Sequence, residues 1–407
     1  MEYLSFAWKN RRFLAFGLLL TFFSFFGQSY FIAVFNKDIR GAFSLSHGEF
    51  GLAYAVATVS SAMCLIWIGR LIDKTRLRTF ALCVCGGLIA SCVLMAAAPV
   101  FPALLFALFA LRLTGQGLMV HTSVTSIGRH FTAERGRAVS IISMGGPSGQ
   151  AVMALAAVAL TAWLGWRQVW LVMAIFSAIV LIPAVAWLLA GHEDAHLARK
   201  TRAQEASASG TRGVWGRREV LKDLRFYLIM PVSLAPSFIV TGFFFHMAHL
   251  VEAKGWSLAF FTGAYTLYTL FSISLTLLTG PLVDRVGAVR ILPWHLAPLC
   301  AGLLALAVFD HRGAAIAYMC LTGITVGVRI TIGGAIWAEI YGVENLGAIR
   351  SLATSFMVVS TALSPVVFGW LIDYGVSVES IALMCLAFAA GASVLSGASI
   401  GMGSNRG

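Results

Sequence analysis

The sequence predicts an all-α membrane protein with twelve transmembrane helices arranged as two six-helix bundles. Three observations lead to this fold class: the composition, the spacing of apolar segments, and an internal duplication. Of the 407 residues, 59% are hydrophobic and only 11% are charged, against roughly 25% charged in ordinary soluble domains. The chain carries too few charges for a soluble protein of its size.

The apolar segments have the length of a membrane crossing. A bilayer core about 30 Å thick needs roughly 20 apolar residues per helical crossing. The chain contains twelve such segments, which run approximately over 13–35, 50–72, 79–98, 100–126, 138–163, 167–190, 226–251, 258–283, 289–309, 313–338, 348–372 and 378–400. The segments lack the alternation of apolar and polar residues that marks strands of a membrane β-barrel.

A short motif occurs twice. The G-x-L-x-D-basic turn at 69–74 returns 211 positions later at 280–285, and each copy lies between two apolar segments. The same offset pairs Gly136 with Gly347 and Ser140 with Ser351. A parallel duplication of six helices explains these matches.

One segment interrupts the apolar pattern between the sixth and seventh helices. Its middle is small and polar, and Arg and Lys flank it, which is typical of a flexible linker. We therefore expect an N-terminal bundle over 1–190, a cytoplasmic linker over 191–225 and a C-terminal bundle over 226–407.

The net charge of +12 is explained by membrane topology. With both termini in the cytoplasm, the inner segments hold 21 Lys and Arg residues and the outer segments hold five. This asymmetry follows the positive-inside rule. We expect a multi-pass protein of the inner (plasma) membrane and no nucleic-acid partner. The apolar run after Lys9 is too long for a signal peptide.

The cysteines indicate neither disulfides nor a metal site. All seven lie inside apolar segments, and none lies in an outer loop, where an oxidising compartment would favour disulfides. Cys83 and Cys85 are two positions apart and point to different faces of a helix. We expect packing roles for them, no metal site and no cofactor.

Two arginines lie deep within predicted helices: Arg112 in the fourth and Arg329 in the tenth. An ionisable group at the bilayer centre costs at least about 2.5 kcal/mol, so each needs a reason. No Asp or Glu lies comparably deep, and two cations without buried counter-anions favour an anionic substrate. The alternative for Arg112 is a structural role, with hydrogen bonds to backbone carbonyls of neighbouring helices.

Polar residues near the two arginines extend the predicted binding site. Thr325 precedes Arg329 by four residues and would share its helix face. Gln116 follows Arg112 by four residues and would share its face in the same way. Arg329 has no counterpart in the first half, where Leu118 stands 211 positions earlier.

Three histidines are candidates for proton coupling, because histidine titrates near neutral pH. They are His121 in the fourth helix, and His246 and His249 in the seventh. The alternative for each is an uncharged, hydrogen-bonded histidine in the core. A metal site at His246 and His249 would need a third ligand, and the sequence offers none nearby.

The motifs together resemble the major facilitator superfamily of secondary transporters. The paired G-x-L-x-D turns, the long central loop and the six-plus-six helices all match that family. Further similarities are the fourth-helix motif at 112–117, the fifth-helix motif at 145–149 and the Gly-Trp-Arg link at 165–167. The resemblance implies alternating access about a site near the bilayer midplane.

The resemblance also implies roles for individual residues. The first and seventh helices line the outer cavity in this family, which suggests Gln28, Tyr30 and His246 as polar contacts. The fifth-helix motif implies flexing at Gly146, Pro147 and Gly149. The two turns imply a gate formed by Gly69, Asp73, Lys74, Arg78, Gly280, Asp284, Arg285 and Gly287.

Asp73 is the expected latch of the inner gate, with Asp284 as its weaker counterpart. An aspartate at a helix end can accept hydrogen bonds from a neighbouring helix N-terminus or pair with arginine. The alternative for Lys74, Arg76 and Arg78 is that they only set topology. Arg76 stands where the family usually has glycine.

A finer resemblance is to the monocarboxylate transporters and the bacterial oxalate/formate carriers. Phe35-Asn36-Lys37-Asp38-Ile39 is similar to the F-F-K-E-I stretch of the first group. The charges of that group's first and eighth helices are replaced here by Tyr30, Ser272 and Thr276. Anion-binding charge would then come from Arg112 and Arg329.

We therefore expect a secondary carrier, not an enzyme, that functions as a monomer in the lipid bilayer. Its expected substrate is a small organic anion, a monocarboxylate by the finer resemblance, with a proton as the candidate co-substrate. Two alternatives stay open: a proton-driven exporter of hydrophobic or cationic compounds, and a membrane receptor without transport activity.

Overall fold

The computed structural model describes residues 2–131, 134–191, 217–342 and 346–403. Within these ranges every regular element is helical, which confirms the predicted all-α class. The chain divides into two units, with Met1–Leu45 and Ala53–Gly210 in unit 1, and Ser46–Leu52 and Thr211–Gly407 in unit 2.

Within the described residues, eleven α-helices precede the central segment. They are α1 (Glu2–Lys9), α2 (Arg11–Phe23), α3 (Ser29–Val34), α4 (Asn36–Phe43), α5 (His47–Ile68), α6 (Leu77–Ala97), α7 (Phe101–Leu111), α8 (Val120–His130), α9 (Arg135–Ser143), α10 (Gly145–Leu164) and α11 (Trp166–Leu188). Two 3₁₀ turns, Ser24–Gly27 and Gly69–Asp73, and a π-helix, Arg112–Met119, connect some of them.

Ten α-helices of the described chain follow from Arg217 onward. They are α12 (Arg217–Val220), α13 (Leu224–Phe245), α14 (Met247–Ala253), α15 (Leu258–Gly263), α16 (Tyr265–Val286), α17 (Ala288–Ile291), α18 (Ala297–Val308), α19 (Arg312–Tyr341), α20 (Leu346–Asp373) and α21 (Val378–Gly403).

Ten helical stretches of the described chain are long and apolar enough to cross a membrane. The first and ninth expected crossings are instead built from shorter pieces. The first comprises α2, α3 and α4, and the ninth comprises α17 and α18. Apolar runs alone do not reveal such breaks, because a broken helix and a continuous one bury the same side chains.

The duplication is visible in the backbone. Phe35 ends α3 with φ −97° and ψ 7°, and His246, 211 positions later, ends α13 with φ −101° and ψ 24°. The first and seventh crossings therefore break at equivalent positions. Equivalent backbone geometry with unlike side chains indicates that the break belongs to the repeated fold.

The phenylalanines of the first crossing mostly pack inside unit 1. Phe31 and Phe35 each place their rings 5.1 Å from that of Trp170, and all three side chains are buried. Phe244 makes the equivalent cluster in unit 2, with its ring centre 5.0 Å from that of Tyr265. These aromatic rings form the cores of the two units.

Asp373 anchors the segment Ser46–Leu52 within unit 2. One carboxylate oxygen accepts hydrogen bonds from Ser46 Oγ at 2.8 Å and from the backbone N–H of Gly48 at 2.7 Å. The other accepts the backbone N–H of His47 at 3.0 Å. A carboxylate at a helix N-terminus satisfies otherwise unpaired N–H groups, so Asp373 caps α5 although it lies far away in sequence.

Lys254 joins three parts of unit 2. Its side chain is fully buried, and its Nζ lies 2.5 Å from Asp310 and 2.6 Å from Glu379. Burial lowers the pKa of Lys254, but hydrogen bonds to the two carboxylates outweigh it, and the pKa is raised overall. The ends of α14, α18 and α21 are thereby held together.

The two copies of the G-x-L-x-D turn have different backbones. Gly287 has φ +90°, and the N–H of the next residue, Ala288, donates to Glu339 Oε2 at 2.7 Å. Arg76, 211 positions earlier, has φ −64° and ψ 133°. The first copy therefore tolerates arginine because its chain is extended there, whereas the second needs glycine.

Gly287→Ala is expected to destabilise the protein. A Cβ there would lie 2.8 Å from the Glu339 carboxylate, and left-handed backbone costs a non-glycine residue about 1–2 kcal/mol. Thermal unfolding of the purified protein in detergent measures the effect. The control is Gly280→Ala, which meets nothing within 4 Å and should unfold at the parent temperature or above. Equal melting temperatures for the two variants would contradict this account.

Candidate functional site

Arg112 is the buried cation of unit 1. Its side chain is only 2% exposed. One guanidinium nitrogen, Nη1, donates to the Gly27 carbonyl at 2.9 Å, and the guanidinium lies 4.9 Å from the centre of the Tyr54 ring. The charge is thus stabilised by a carbonyl and an aromatic face.

The helix breaks explain how Arg112 reaches that carbonyl. Gly27 ends a 3₁₀ turn, and Gln28 after it is extended, with ψ 151°. The chain therefore leaves Gly27 without a regular helix above it, and its oxygen accepts from Arg112 instead. A helix break inside a membrane is tolerated where side chains satisfy the released backbone groups.

The fourth crossing is a π-helix from Arg112 to Met119. Gly115 in this segment packs directly against Gly27, and a Cβ on Gly115 would lie 2.8 Å from the Gly27 Cα. Single π-turns often occur at functional sites. The π-helix keeps residues four apart on one side of the helix, so the shared face of Arg112 and Gln116 stays a prediction. Gln116 is half-buried.

Hydroxyl groups surround Arg112. The Tyr54 hydroxyl lies 2.6 Å from Ser29 Oγ, and the phenols of Tyr54 and Tyr30 both interact electrostatically with the guanidinium. Gln28 and Tyr30 are half-buried. The structural alternative for Arg112 thus has a concrete basis, although its Nε has no hydrogen-bond partner among the described residues.

Unit 2 contains a cavity of its own, lined by basic side chains. Its volume is about 200 Å³, and α13, α19 and α20 contribute to its walls together with the segment before α18. Arg329, Arg350 and His295 line it, and no acidic side chain is among the described residues that do so. The cavity is cationic.

Met357 and His295 lie next to Arg329. Its Nη1 lies 3.7 Å from Met357 Sδ, a weak acceptor. His295 interacts with it electrostatically and donates from Nδ1 to the Leu292 carbonyl at 2.5 Å. Because Nδ1 carries that hydrogen, a neutral His295 has its lone pair on Nε2.

Thr325 does not join Arg329 in the cavity. Its side chain is fully buried, and its hydroxyl donates to the Leu321 carbonyl at 3.1 Å. The expected stripe of Thr325 and Arg329 is therefore corrected, because helix spacing places residues on one face without deciding which of them a neighbouring helix covers.

His246 and His249 lie away from that cavity. His246 Nε2 donates to the Pro365 carbonyl at 2.9 Å, and its Nδ1 lies 3.4 Å from Nδ1 of His47. The His249 ring packs 5.1 Å from that of His47. The described residues contain no group of three that could hold a metal ion.

His121 contacts the first copy of the repeated turn. Its Nε2 donates to the Gly69 carbonyl at 3.1 Å, and its Nδ1 lies 3.5 Å from Thr125 Oγ1. A candidate for proton coupling and a candidate for gating are therefore directly connected within unit 1.

The other gating residues lie at the surfaces of their units. Lys74, Gly280, Asp284 and Arg285 are exposed or half-buried, and Arg78 is half-buried. The side chain of Asp73 lies outside what the structure describes. Glu339, which the sequence pattern does not single out, contacts the second turn by accepting a hydrogen bond from the backbone N–H of Ala288.

The fifth crossing is interrupted where the motif begins. Helix α9 ends at Ser143, and α10 begins at Gly145. Pro147 cannot donate to the carbonyl four residues earlier, which weakens the helix at this point. Gly149 packs against the first crossing, where a Cβ would lie 2.6 Å from the Phe22 carbonyl, whereas Gly146 faces open space.

Sequence reasoning missed Arg350, His295 and His47. Arg350 was assigned to topology because it lies near the start of an apolar run. His295 and His47 are isolated in sequence, and only the fold brings them to their partners.

Long apolar helices in two units, with a buried Arg112 in one and a cavity lined by arginines in the other, are typical of an all-α membrane transporter. The family model described as Major Facilitator Superfamily matches residues 17–272 and 252–400. The chain therefore belongs to the major facilitator superfamily, and it is a secondary transporter rather than an enzyme.

A solved structure gives the same fold. It is a bacterial homologue of the human lysosomal transporter Spinster, in an inward-facing and occupied conformation. It is 17% identical, with a TM-score of 0.70, and 97% of each chain is covered. No curated protein matches the chain. These findings confirm the superfamily and the fold but do not extend to the monocarboxylate group.

Gly27→Ala is expected to lower the melting temperature. Its Cβ would lie 2.6 Å from the Gln116 nitrogen and 2.8 Å from the Gly115 Cα, and such overpacking costs about 1–3 kcal/mol. Gly146→Ala, which meets nothing within 4 Å, is the matched control and should melt with the parent. A Gly27 variant as stable as the control would show that the two crossings do not need this close approach.

Proposed function

We propose that the protein transports a small organic anion by alternating access and binds it in the unit 2 cavity. The observation that carries the proposal is the lining of that cavity by Arg329 and Arg350, with no acidic side chain among its described walls. Two cations in a site with no acid favour an anion as the third partner. The same lining counts against a cationic substrate.

The size of the cavity limits the substrate. Its volume of about 200 Å³ lies below the roughly 300–1,000 Å³ of common ligand pockets. A carboxylate of a few carbons fits, whereas a large drug-like compound does not fit within this cavity alone. This size supports a small monocarboxylate.

The chemistry of the walls supports a carboxylate. A guanidinium can donate two parallel hydrogen bonds to one carboxylate, and Arg329 and Arg350 both line the cavity. Apolar neighbours such as Ile332 and Ile336 would contact a short alkyl group. A neutral His295 would accept a hydrogen bond from a substrate hydroxyl at Nε2.

Arg112 takes a different part in this proposal. Its contacts with Gly27 and Tyr54 support a role in fixing the break of the first crossing, close to the polar residues Gln28, Tyr30 and Gln116. These residues remain candidates for substrate contacts in unit 1.

Proton coupling belongs to the same proposal, with His246 as the best-supported residue. Its Nε2 hydrogen is committed to Pro365, so the short contact between the Nδ1 atoms of His246 and His47 holds a single hydrogen. A second proton would place two N–H groups against each other. Proton uptake would therefore separate the two rings.

The remaining features follow the sequence-based topology. The distribution of basic residues supports an inner-membrane protein with both termini in the cytoplasm, acting as a monomer. The turns at 69–74 and 280–285 are the proposed gate, and the connection between His121 and Gly69 supports coupling between the fourth crossing and the first turn.

Arg329→Gln is expected to weaken substrate affinity at least about tenfold, because a hydrogen bond to a charged group contributes about 1.5–3 kcal/mol. Uptake of radiolabelled acetate, lactate and pyruvate into proteoliposomes measures the effect as a rise in KM. Arg290→Gln, which removes an exposed arginine of unit 2, is the matched control and should transport like the parent.

The comparison requires that the parent protein first be shown to transport one of these anions. An Arg329→Gln protein with the parent KM and maximal rate would remove the cavity from substrate binding. Transport by the parent of organic cations but none of the anions would contradict the substrate class itself.

A further inference from the structure

We propose that a basic groove on unit 1 binds the headgroup of an anionic phospholipid. The groove lies between the start of α2 and the end of α11, and it is separate from the residues proposed for transport. Its cationic lining consists of Lys9, Arg11 and Arg12, with Trp187 as the aromatic wall.

The groove is large enough for a phospholipid headgroup. It encloses about 610 Å³, and no acidic side chain is among the described residues that line it. All three cations are exposed. An exposed basic cluster beside a membrane attracts anionic lipids, and each Lys or Arg strengthens that attraction about fivefold.

Two tryptophans place the groove at the depth of the headgroups. The Arg12 guanidinium lies 5.2 Å from the centre of the Trp187 ring and donates to the Trp187 carbonyl at 2.5 Å. The Arg11 guanidinium lies 4.9 Å from the Trp8 ring. Both tryptophans are well exposed, at 72% for Trp8 and 66% for Trp187. Exposed tryptophans at helix ends are typical of the membrane–water interface.

An apolar surface continues from the groove toward the membrane interior. On α2, Ala15 and Leu18 follow Arg11 at four and seven residues and are exposed. On α11, Val180 and Phe176 precede Trp187 at seven and eleven residues and are each 36% exposed. These spacings keep each set on one helix face.

Helices α2 and α11 pack against each other beneath the groove, and Phe23 itself is buried. Phe23 of α2 stacks on Phe176 of α11, with ring centres 5.5 Å apart. An acyl chain lying along this seam would place its phosphate beside Arg11 and Arg12. A water-soluble phosphate would use the cations but not the seam, so the continuous surface favours a lipid.

Lipid binding is tested on the full-length protein purified in a neutral detergent. Phosphatidylglycerol and phosphatidylcholine, matched in acyl chains, are titrated separately, with inorganic phosphate as a third arm. Thermal unfolding and native mass spectrometry report binding, since a ligand of the folded state raises its stability.

Three variants accompany the parent. A triple variant carries Lys9→Gln, Arg11→Gln and Arg12→Gln. A double variant carries only Lys9→Gln and Arg11→Gln. It keeps Arg12 and its hydrogen bond to the Trp187 carbonyl, so that loss of binding can be separated from loss of folding. The control carries Lys222→Gln, Arg285→Gln and Arg290→Gln, and removes the same charge from exposed positions of unit 2.

We expect phosphatidylglycerol to stabilise the parent and the control alike. The half-saturating concentration should rise at least about tenfold in the double variant and further in the triple variant. Three results would each overturn the proposal: phosphatidylcholine binding as tightly as phosphatidylglycerol, the control losing as much lipid affinity as the triple variant, or inorganic phosphate alone giving the full stabilisation. Folded double and triple variants with parental lipid affinity would do the same.

Discussion

A positive charge inside a bundle of membrane helices is the constraint on which both units depend. Lipid offers no water to solvate it, so the protein must supply acceptors or leave the charge for a ligand. Unit 1 supplies acceptors. Arg112 donates to the Gly27 carbonyl and lies over Tyr54, and the broken first crossing and the π-helical fourth crossing bring these groups together. Unit 2 leaves Arg329 beside a cavity that a second arginine also lines.

The contrast between the two arginines separates structure from function. Both are deep cations without a nearby acid, and the sequence treats them alike. In the structure, Arg112 is buried and donates to the backbone at a helix break, whereas Arg329 is half-buried and lines a cavity. Arg112 and Arg329 do not occupy matching positions of the two repeats, because Leu118 stands 211 positions before Arg329. The deep arginine of each half therefore arose after the duplication. Substrate recognition is expected where the halves differ.

The sequence predicts the fold class and the superfamily well, because apolar length and repeated turns depend on local chemistry. It predicts the site only in part. Arg329 could be selected because it stands alone in an apolar run, but Arg350 and His295 could not, since contacts between distant helices bring them to the cavity. The π-helix at 112–119 also escaped prediction. Thr325 shows the converse limit: correct spacing on a helix did not predict which face a neighbour covers.

The measurement that tests the central claim most directly is ligand protection of a cysteine placed in the unit 2 cavity. Thr354 lines the cavity and is exposed, so Thr354→Cys introduces a thiol there, and exposed Cys83 in unit 1 serves as an internal control. Alkylation at both positions is followed by peptide mass spectrometry with a transported carboxylate or its neutral amide present. The account predicts that the carboxylate slows alkylation at position 354 alone and that the amide has no effect. Unchanged alkylation at saturating carboxylate, or equal protection by the amide, would contradict anion binding in this cavity.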